Sequence, residues 1–565
     1  MHLSDSLHHR FEEQAGAFAK DVHALRMSHG DDAIEFGELL VHFGYLDRDT
    51  VGDILATEMG RTYVNLGKTL FQRELLDKVT SELARKLCAI PLYRMGNKVT
   101  VGMTNPADEK AIRALEMLLG MSVSPMFCFP DEIESAIEVN SQSIGDFDKL
   151  LEGIDLSPFQ KKELPEKRLR ELLEGKQLVQ LSEQLILLAL KSRASDVHIE
   201  PKRTEMVVRF RVDGEMIESM RLPIALAMPL VSRYKIIAML DITDSRRPQD
   251  GRFAFPLPAR KIDIRVSSLP TICGEKVVLR LLGSLYGSTM LNIDKINLSP
   301  EVATPLKRAV QQPNGILFIT GPTGSGKTTT LYATMNFINR PSINVVTIED
   351  PVEYEIPSIN QIQTDDKAGR SFQSVLRSVL RQDPDVVLVG EIRDAETARI
   401  ATQAAVTGHL VLTTLHTGNA IQASTRLIDM GVERFMVAPS LLGVLNQRLV
   451  RRVCEPCKTE YDPDPDYLGQ FFRWRGGYKL PPLYRGEGCE HCGKTGFHGR
   501  IGIHEFLQAT PRLRDLLMRG AGYDELRALA VQEGFKEMRY DGLKKALRGL
   551  TTIDEVVRAT MTELD

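Results

Sequence analysis

The apolar positions of this chain change period several times, and each change marks a new kind of element. From Ile34 they recur every three or four residues through "AIEFGELLVHFGYL" and again through "DRDTVGDILATEMG", with Gly44 between, which predicts two short helices. The next stretch, "KLCAIPLYRMGNKVTVGMTNP", alternates apolar and polar positions as strands do, and a helix is expected around Lys110 to Leu119. These elements delimit a mixed N-terminal domain over residues 31–140. Residues 1–30 show no clear period and are expected to form a flexible arm. Residues 141–172 are polar and charged with two Pro, the make-up of a linker.

A second domain, 173–290, opens with the helical pattern "LVQLSEQLILLALKSRA" and continues in strands such as "DVHIEP", "EMVVRFRVDG" and "EKVVLRLL", an α+β order. Over 295–565 the apolar strands "GILFIT", "NVVTIED", "DVVLVGE" and "HLVLTTLH" alternate with helical segments. That alternation predicts an α/β fold with a mostly parallel sheet covered on both faces. Residues 506–565 read as a helical C-terminal part.

Composition then works by exclusion. With 71 basic and 75 acidic residues the net charge is −4, and 43% of the chain is hydrophobic. That is too apolar for a disordered chain and lacks the basic excess of a nucleic-acid binder, so no nucleic-acid partner is expected. The longest apolar run, Leu185 to Leu190, is far short of a membrane span, and the first thirty residues do not read as a signal peptide. The expectation is a cytoplasmic protein that reaches a membrane only through partners.

Cysteine spacing adds a metal. Of seven Cys, Cys88, Cys128 and Cys273 lie in apolar surroundings and read as small buried hydrophobes. The other four form two pairs, Cys454-x-x-Cys457 and Cys489-x-x-Cys492, with 31 residues between them. Four thiolates can close a tetrahedral structural Zn²⁺ site, which makes 451–505 a zinc-binding insert. His491 and His498 are the rival ligands.

The chemistry is carried by "GPTGSGKT". Gly321, Pro322, Thr323, Gly324, Ser325, Gly326, Lys327 and Thr328 fit the phosphate-binding pattern G-x-x-x-x-G-K-[ST], with an apolar strand before and a helix-like run from Thr329 after. Glycines let backbone N–H groups wrap a phosphate, Lys327 is placed for the β- and γ-phosphates, and Thr328 for Mg²⁺. Two further apolar strands end in acids: "NVVTIEDPVEY" in Glu349, Asp350 and Glu353, and "DVVLVGEIRD" in Glu391. In a parallel sheet such strand ends face the ligand crevice, where a carboxylate can accept a proton from an attacking water. Two histidines on the strand "HLVLTTLH" read, on the residues alone, as packing residues. "ASDVHIEP" invites a hydrolase reading, but on a strand Asp196 and His198 share a face that Ser195 does not.

The ordered set "GPTGSGKT", "TIEDPVEY", "LRQDPDVVLVGEIRD" and "TGHLVLTTLHT" closely resembles the secretion ATPase family, which powers type II secretion and type IV pilus assembly. The resemblance covers roughly 170–565, with a weaker match over 34–140. It implies a RecA-like P-loop ATPase core, a preceding α+β domain, and a homo-hexamer using ATP and Mg²⁺. It implies that Lys327 and Thr328 are the Walker A residues, Glu391 the Walker B acid, Glu353 the catalytic glutamate, and His409 and His416 sensors of nucleotide state. Arg211, Arg265 and Arg280 match arginines that reach nucleotide across a subunit boundary, and Arg377 and Arg381 match others of that network.

Inner-membrane platform and bitopic docking proteins are the implied partners, with type II secretion the leading assignment and pilus assembly the alternative. An ATP-binding scaffold without turnover would show a damaged Walker lysine or missing acids, and neither is seen. The segment over 36–60 also resembles a cyclic di-GMP motif, but Glu35-Phe36-Gly37 stands where that motif starts Arg-Leu-Gly, and Glu58 or Met59 replaces its closing Gln. Without the Arg it reads as a partner-docking lobe, with cyclic di-GMP the weaker alternative.

Overall fold

The computed structural model describes residues 3–26, 32–66, 69, 71–76, 78–95, 97–140, 173–257, 260–282, 292–353, 355–356, 358–365, 368–472 and 482–561. The linker expected at 141–172 lies outside the described residues. The chain divides into two compact units, one of Met1–Phe11, Gly30–Glu38 and Arg48–Gly287, the other of Glu12–His29, Leu39–Asp47 and Ser288–Asp565.

Where a flexible arm was expected, Asp5–Ala15 and Ala19–Arg26 are helices, with Leu3, Leu7 and Phe11 buried. Phe11 packs on Phe36 with ring centroids 5.9 Å apart. The four-residue spacing of Leu3, Leu7, Phe11 and Ala15 is a helical stripe, but four positions among histidines and acids are too few to establish a period. The helices Ala33–His42 and Arg48–Glu58 follow.

Within the first unit, β1 (Ala89–Met95), β2 (Lys98–Met103) and β3 (Ser122–Phe127) form a sheet in that order, antiparallel then parallel. The intervening helix Glu109–Leu119 buries Ala111, Leu115 and Leu119; Asp108 caps its start, and Gly120 ends it at a φ of 67°. Cys128 is buried here, as read, but Cys88 is exposed and Cys273 half-buried, each in a turn where its neighbours do not close over it.

Six antiparallel strands, β4 (Ala194–Pro201), β5 (Glu205–Val212), β6 (Glu215–Pro223), β7 (Gln249–Leu257), β8 (Arg260–Thr271) and β9 (Gly274–Leu282), form a second sheet in the order β6-β5-β4-β9-β8-β7. Helices Lys176–Lys191 and Ala227–Ile237 pack on its apolar face through Leu181, Leu185, Leu230 and Tyr234. Its other face carries the charged residues of the alternating strands.

The second unit is built on β10 (Gly315–Thr320), β11 (Val345–Glu349), β12 (Asn360–Gln363), β13 (Val386–Val389), β14 (Leu410–Leu415), β15 (Leu441–Val453) and a later strand, Phe497–Gln508. β10, β11, β13 and β14 are buried along their whole length, as expected for parallel strands covered on both faces. The order is β12-β11-β13-β14-β10-β15 and then the late strand, which alone runs antiparallel. Two short strands, β16 (Lys458–Tyr461) and β17 (Leu483–Gly486), pair with each other inside the insert, which makes the late strand β18.

β15 extends to Val453 and β18 runs from Phe497 to Gln508, so both ends of the expected 451–505 insert belong to the main sheet, and the helical part begins at Pro511. Among the described residues no helix is long and apolar enough to cross a membrane.

Candidate functional site

Parallel pairing decides where the chemistry gathers. Thr320 at the end of β10 lies beside Leu415 at the end of β14, and Val389 at the end of β13 lies beside Thr413 and Ile348. The loops leaving β10, β11, β13 and β14 therefore open on one edge of the sheet.

The loop after β10 is the phosphate cradle. Gly321 has a φ of 140°, and a Cβ there would stand 2.4 Å from the Gln447 carbonyl oxygen, so no other residue fits. Gly326, at φ 86°, leads into the helix Lys327–Ile338, whose first N–H groups have no side-chain cap and are left for a ligand. Pro322, Thr323 and Gly324 form the exposed crest, Ser325 is buried, and Thr328 and Thr329 are half-buried in the first turn. The Lys327 ammonium donates to the carbonyls of Gly321 and Pro322 at 2.9 and 3.1 Å, holding the position a phosphate would take. Burial lowers its pKa, and the negative charge of Glu391 pulls it back up, which places the two groups within electrostatic reach.

Glu391 follows β13 and is largely buried. One carboxylate oxygen pairs with Arg393, and the other lies 3.7 Å from Nε2 of His416. His416 directly follows β14, so its strand delivers it to the crevice. His409 is delivered elsewhere: it precedes β14, its carbonyl accepts from the Gly315 N–H at the opposite end of the sheet, and its Nδ1 lies 3.0 Å from the Ala404 carbonyl. Six strand residues separate the two histidines, roughly 20 Å of extended chain. The structure brings His416 to Glu391 and does not bring His409.

The three acids after β11 are also unlike one another. Glu349 is 4% exposed and accepts from Tyr332 Oη, from Thr347 Oγ1 at 2.6 Å and from Gln361 Nε2 at 3.3 Å, which fixes it as a scaffold of the crevice wall. Asp350 is exposed. Glu353 is half-buried, and its N–H donates to the same Tyr332 hydroxyl at 3.4 Å. Tyr332 thus ties the glutamate loop to the helix that starts at Lys327.

Arg211, Arg265 and Arg280 lie in the first unit. In the strand register Arg211 opposes Asp196, Asp196 opposes Arg280, and Arg280 opposes Arg265, so all belong to one cross-strand row. Asp196 accepts from Arg280 Nε at 2.9 Å and lies 3.8 Å from Arg211 Nε. A β-bulge between Ala194 and Asp196 lets Ser195 Oγ donate to Asp196 at 2.8 Å, while His198 lies beside Glu200, so no triad forms. Arg377 pairs with Glu396 on the neighbouring helix, and Arg381 donates to the Arg377 carbonyl at 2.7 Å; these two belong to the helical layer.

The four cysteines converge. Cys454 and Cys489 sulfurs are 3.8 Å apart, Cys457 and Cys492 3.9 Å, and Cys489 and Cys492 3.7 Å. A tetrahedron with Zn–S bonds of about 2.3 Å has S···S edges of about 3.8 Å, so the donor set fits Zn²⁺. Thr328 and Glu391 offer the hard oxygen donors that suit Mg²⁺. Sequence reading overlooked Arg393, Asn446 and Gln447. The last two are visible as adjacent amides inside the apolar run of β15, where a polar pair must find partners.

The family model described as "Type II/IV secretion system protein" matches residues 171–558, and the MshEN domain model matches 59–143. The chain is similar to the type IV pilus assembly ATPase PilB of Thermus thermophilus, 39% identical over 532 residues, which are 93% of this chain but 59% of that protein, so it spans less than two thirds of that relative. It is also similar to the type II secretion system protein HxcR of Pseudomonas aeruginosa, 46% identical over 387 residues, 68% of this chain and 78% of that one. Among solved structures, the Legionella pneumophila ATPase DotB covers 67% of this chain and 95% of its own at 22% identity and a TM-score of 0.51, a likeness of fold. With a phosphate cradle, an acid and a histidine at one sheet edge and a family model over most of its length, the chain belongs to the type II/IV secretion system protein family of RecA-like ATPases and is an ATP hydrolase.

Proposed function

We propose that this chain is the cytoplasmic ATPase that couples ATP hydrolysis to pseudopilus assembly and protein export in type II secretion. It works as a homo-hexamer held at the inner membrane by platform and bitopic docking proteins. The observation that carries this reading is the 46% identity to the type II secretion system protein HxcR over 387 residues, 68% of the chain.

At the site, the amides of Gly321–Thr328 and Lys327 hold the phosphates, while Thr328 and Glu391 hold Mg²⁺, which when bound neutralises charge on the β- and γ-phosphates. Glu353 orients the attacking water and takes its proton as the new P–O bond forms and the bond to the β-phosphate oxygen breaks. His416 reads the state of Glu391. Arg211, Arg265 and Arg280 of a neighbouring subunit, with Arg377 and Arg381, spread positive charge onto the transferring phosphoryl group, so turnover rises as the ring closes. Zn²⁺ on Cys454, Cys457, Cys489 and Cys492 is structural.

Pilus extension is the second reading, favoured by the match to PilB along 93% of the chain. Co-purification of the tagged protein from detergent-solubilised native membranes separates the two. A bitopic secretion-platform protein supports type II secretion, and pilus platform and alignment proteins would replace that assignment with pilus assembly.

A further inference from the structure

Gln447 stands on β15 next to β10, 2% exposed. A side-chain amide buried that deeply needs partners at both ends, and both belong to the nucleotide site. Its Nε2 donates to the Ser325 carbonyl at 2.7 Å, and its Oε1 accepts from Thr330 Oγ1 at 2.8 Å. Its main-chain carbonyl abuts Gly321. One residue therefore touches the start of the phosphate loop, its middle and the first turn of the helix that follows.

The consequence comes from peptide geometry. In a trans peptide the C=O and the next N–H point in opposite directions. With the Ser325 carbonyl held toward β15, the Gly326 N–H is aimed away from β15. Gly324 and Gly326 have φ of 79° and 86°, the left-handed turns that direct successive N–H groups at one anion. The Ser325 carbonyl, which can only accept, fixes the amide's sense, since a flipped Gln447 would set its oxygen against that oxygen, and the Thr330 hydroxyl anchors Oε1.

We propose that Gln447 is a positioning residue for nucleotide binding: by holding the Ser325 carbonyl it presets the loop amides for phosphate. The proposal rests on the reading of Gly321–Thr328 as the ATP site. Those amides meet the phosphates of ATP and ADP alike, so the loss on removing Gln447 falls on affinity for both rather than on the chemical step.

The test uses the full-length protein. Binding of ADP and of ATP is titrated by fluorescence, and steady-state phosphate release is measured, for Gln447→Leu and Thr330→Val. Gln447→Leu should weaken both nucleotides about 10-fold and raise KM alongside, with kcat at saturation changed by no more than about twofold. Thr330→Val, which leaves Gln447 Nε2 its Ser325 acceptor but removes the hydroxyl that anchors Oε1, should weaken both by about threefold. A residue that serves stability alone would lower the melting temperature of nucleotide-free protein and leave the affinity of the folded protein unchanged; that result in Gln447→Leu overturns the proposal. Should Gln447→Leu fail to fold, Thr330→Val decides, with unchanged affinity overturning the proposal and a loss for both nucleotides supporting it. An unmodified protein that binds neither nucleotide would overturn the ATP reading itself.

Discussion

Nε2 of His416 lies 3.7 Å from a carboxylate oxygen of Glu391, across the gap between the ends of β14 and β13. Glu391 also pairs with Arg393, so the acid sits between an arginine and an imidazole. Thr414, within β14, adds a second tie between these strand ends, its Oγ1 donating to the Gly390 carbonyl at 2.7 Å.

The two histidines of the same motif should therefore behave differently. His416→Ala should cut kcat by about 100-fold, the size expected for loss of an electrostatic or proton-handling group beside the reacting centre. His409→Ala should leave kcat nearly unchanged and cost about 1 kcal/mol of stability through its contact with the Ala404 carbonyl. Phosphate-release rates at saturating ATP decide it, and a larger rate loss in His409→Ala would contradict the placement of the two residues.

Glu349 and Glu353 make a second contrasting pair. Glu349→Ala leaves the donors Tyr332, Thr347 and Gln361 without their acceptor in a buried wall, so it should destabilise the ATPase domain by about 3 kcal/mol. Glu353→Gln is expected to leave the melting temperature alone and lower turnover by about 100-fold or more, with nucleotide affinity kept. Lys327→Ala should lose both affinity and turnover. Equal phosphate-release rates in wild type, Glu353→Gln and Lys327→Ala would sink the motor reading.

What the sequence made legible follows from how local each signal was. The strand ahead of Gly321 and the glycines of the phosphate loop are contiguous, so the cradle could be read directly. The acids Glu349, Asp350 and Glu353 could be placed at a strand end, but burial separates their roles, and burial depends on Tyr332, seventeen residues before Glu349. His409 and His416 read as one motif because they bracket one strand; only the pairing of β10 with β14 shows that the strand puts them at opposite edges. The row of Arg211, Asp196, Arg280 and Arg265 comes from four strands whose register no single segment contains. The early helices were missed because four apolar positions carry too little periodicity.

The four cysteines predict a specific lesion. Purified protein should carry one zinc per chain, measured by elemental analysis. Cys457→Ser or a strong chelator should remove it and raise amide exchange over 454–496, where, among the described residues, β16 and β17 pair with each other in a two-stranded sheet. Exchange in β10 and β14 should not change, because their cores do not depend on the insert. Full retention of protection over 454–496 after zinc removal would show that the thiols do not organise this segment.

Glu132 gives a pH dependence with a definite sign. Burial pushes its carboxyl up to about 7, against the pull of Arg48 and a hydrogen bond from Tyr63 Oη at 2.8 Å. A carboxyl with a raised native pKa binds its proton more tightly folded than unfolded, so its contribution is complete below the unfolded value near 4.5 and is lost as pH rises through 7. The difference corresponds to roughly 3 kcal/mol between acid and pH 8, of the order set by 1.36 kcal/mol per pKa unit. Local opening of the helix Pro130–Asn140, followed by hydrogen exchange with the intrinsic rate corrected, should become easier from pH 5 to pH 8. Glu132→Gln, neutral at every pH and still able to accept from Tyr63, should flatten that dependence and exceed wild type in protection at pH 8. A wild-type profile that rises toward pH 8 instead would mean that the ion pair with Arg48 outweighs the burial of Glu132.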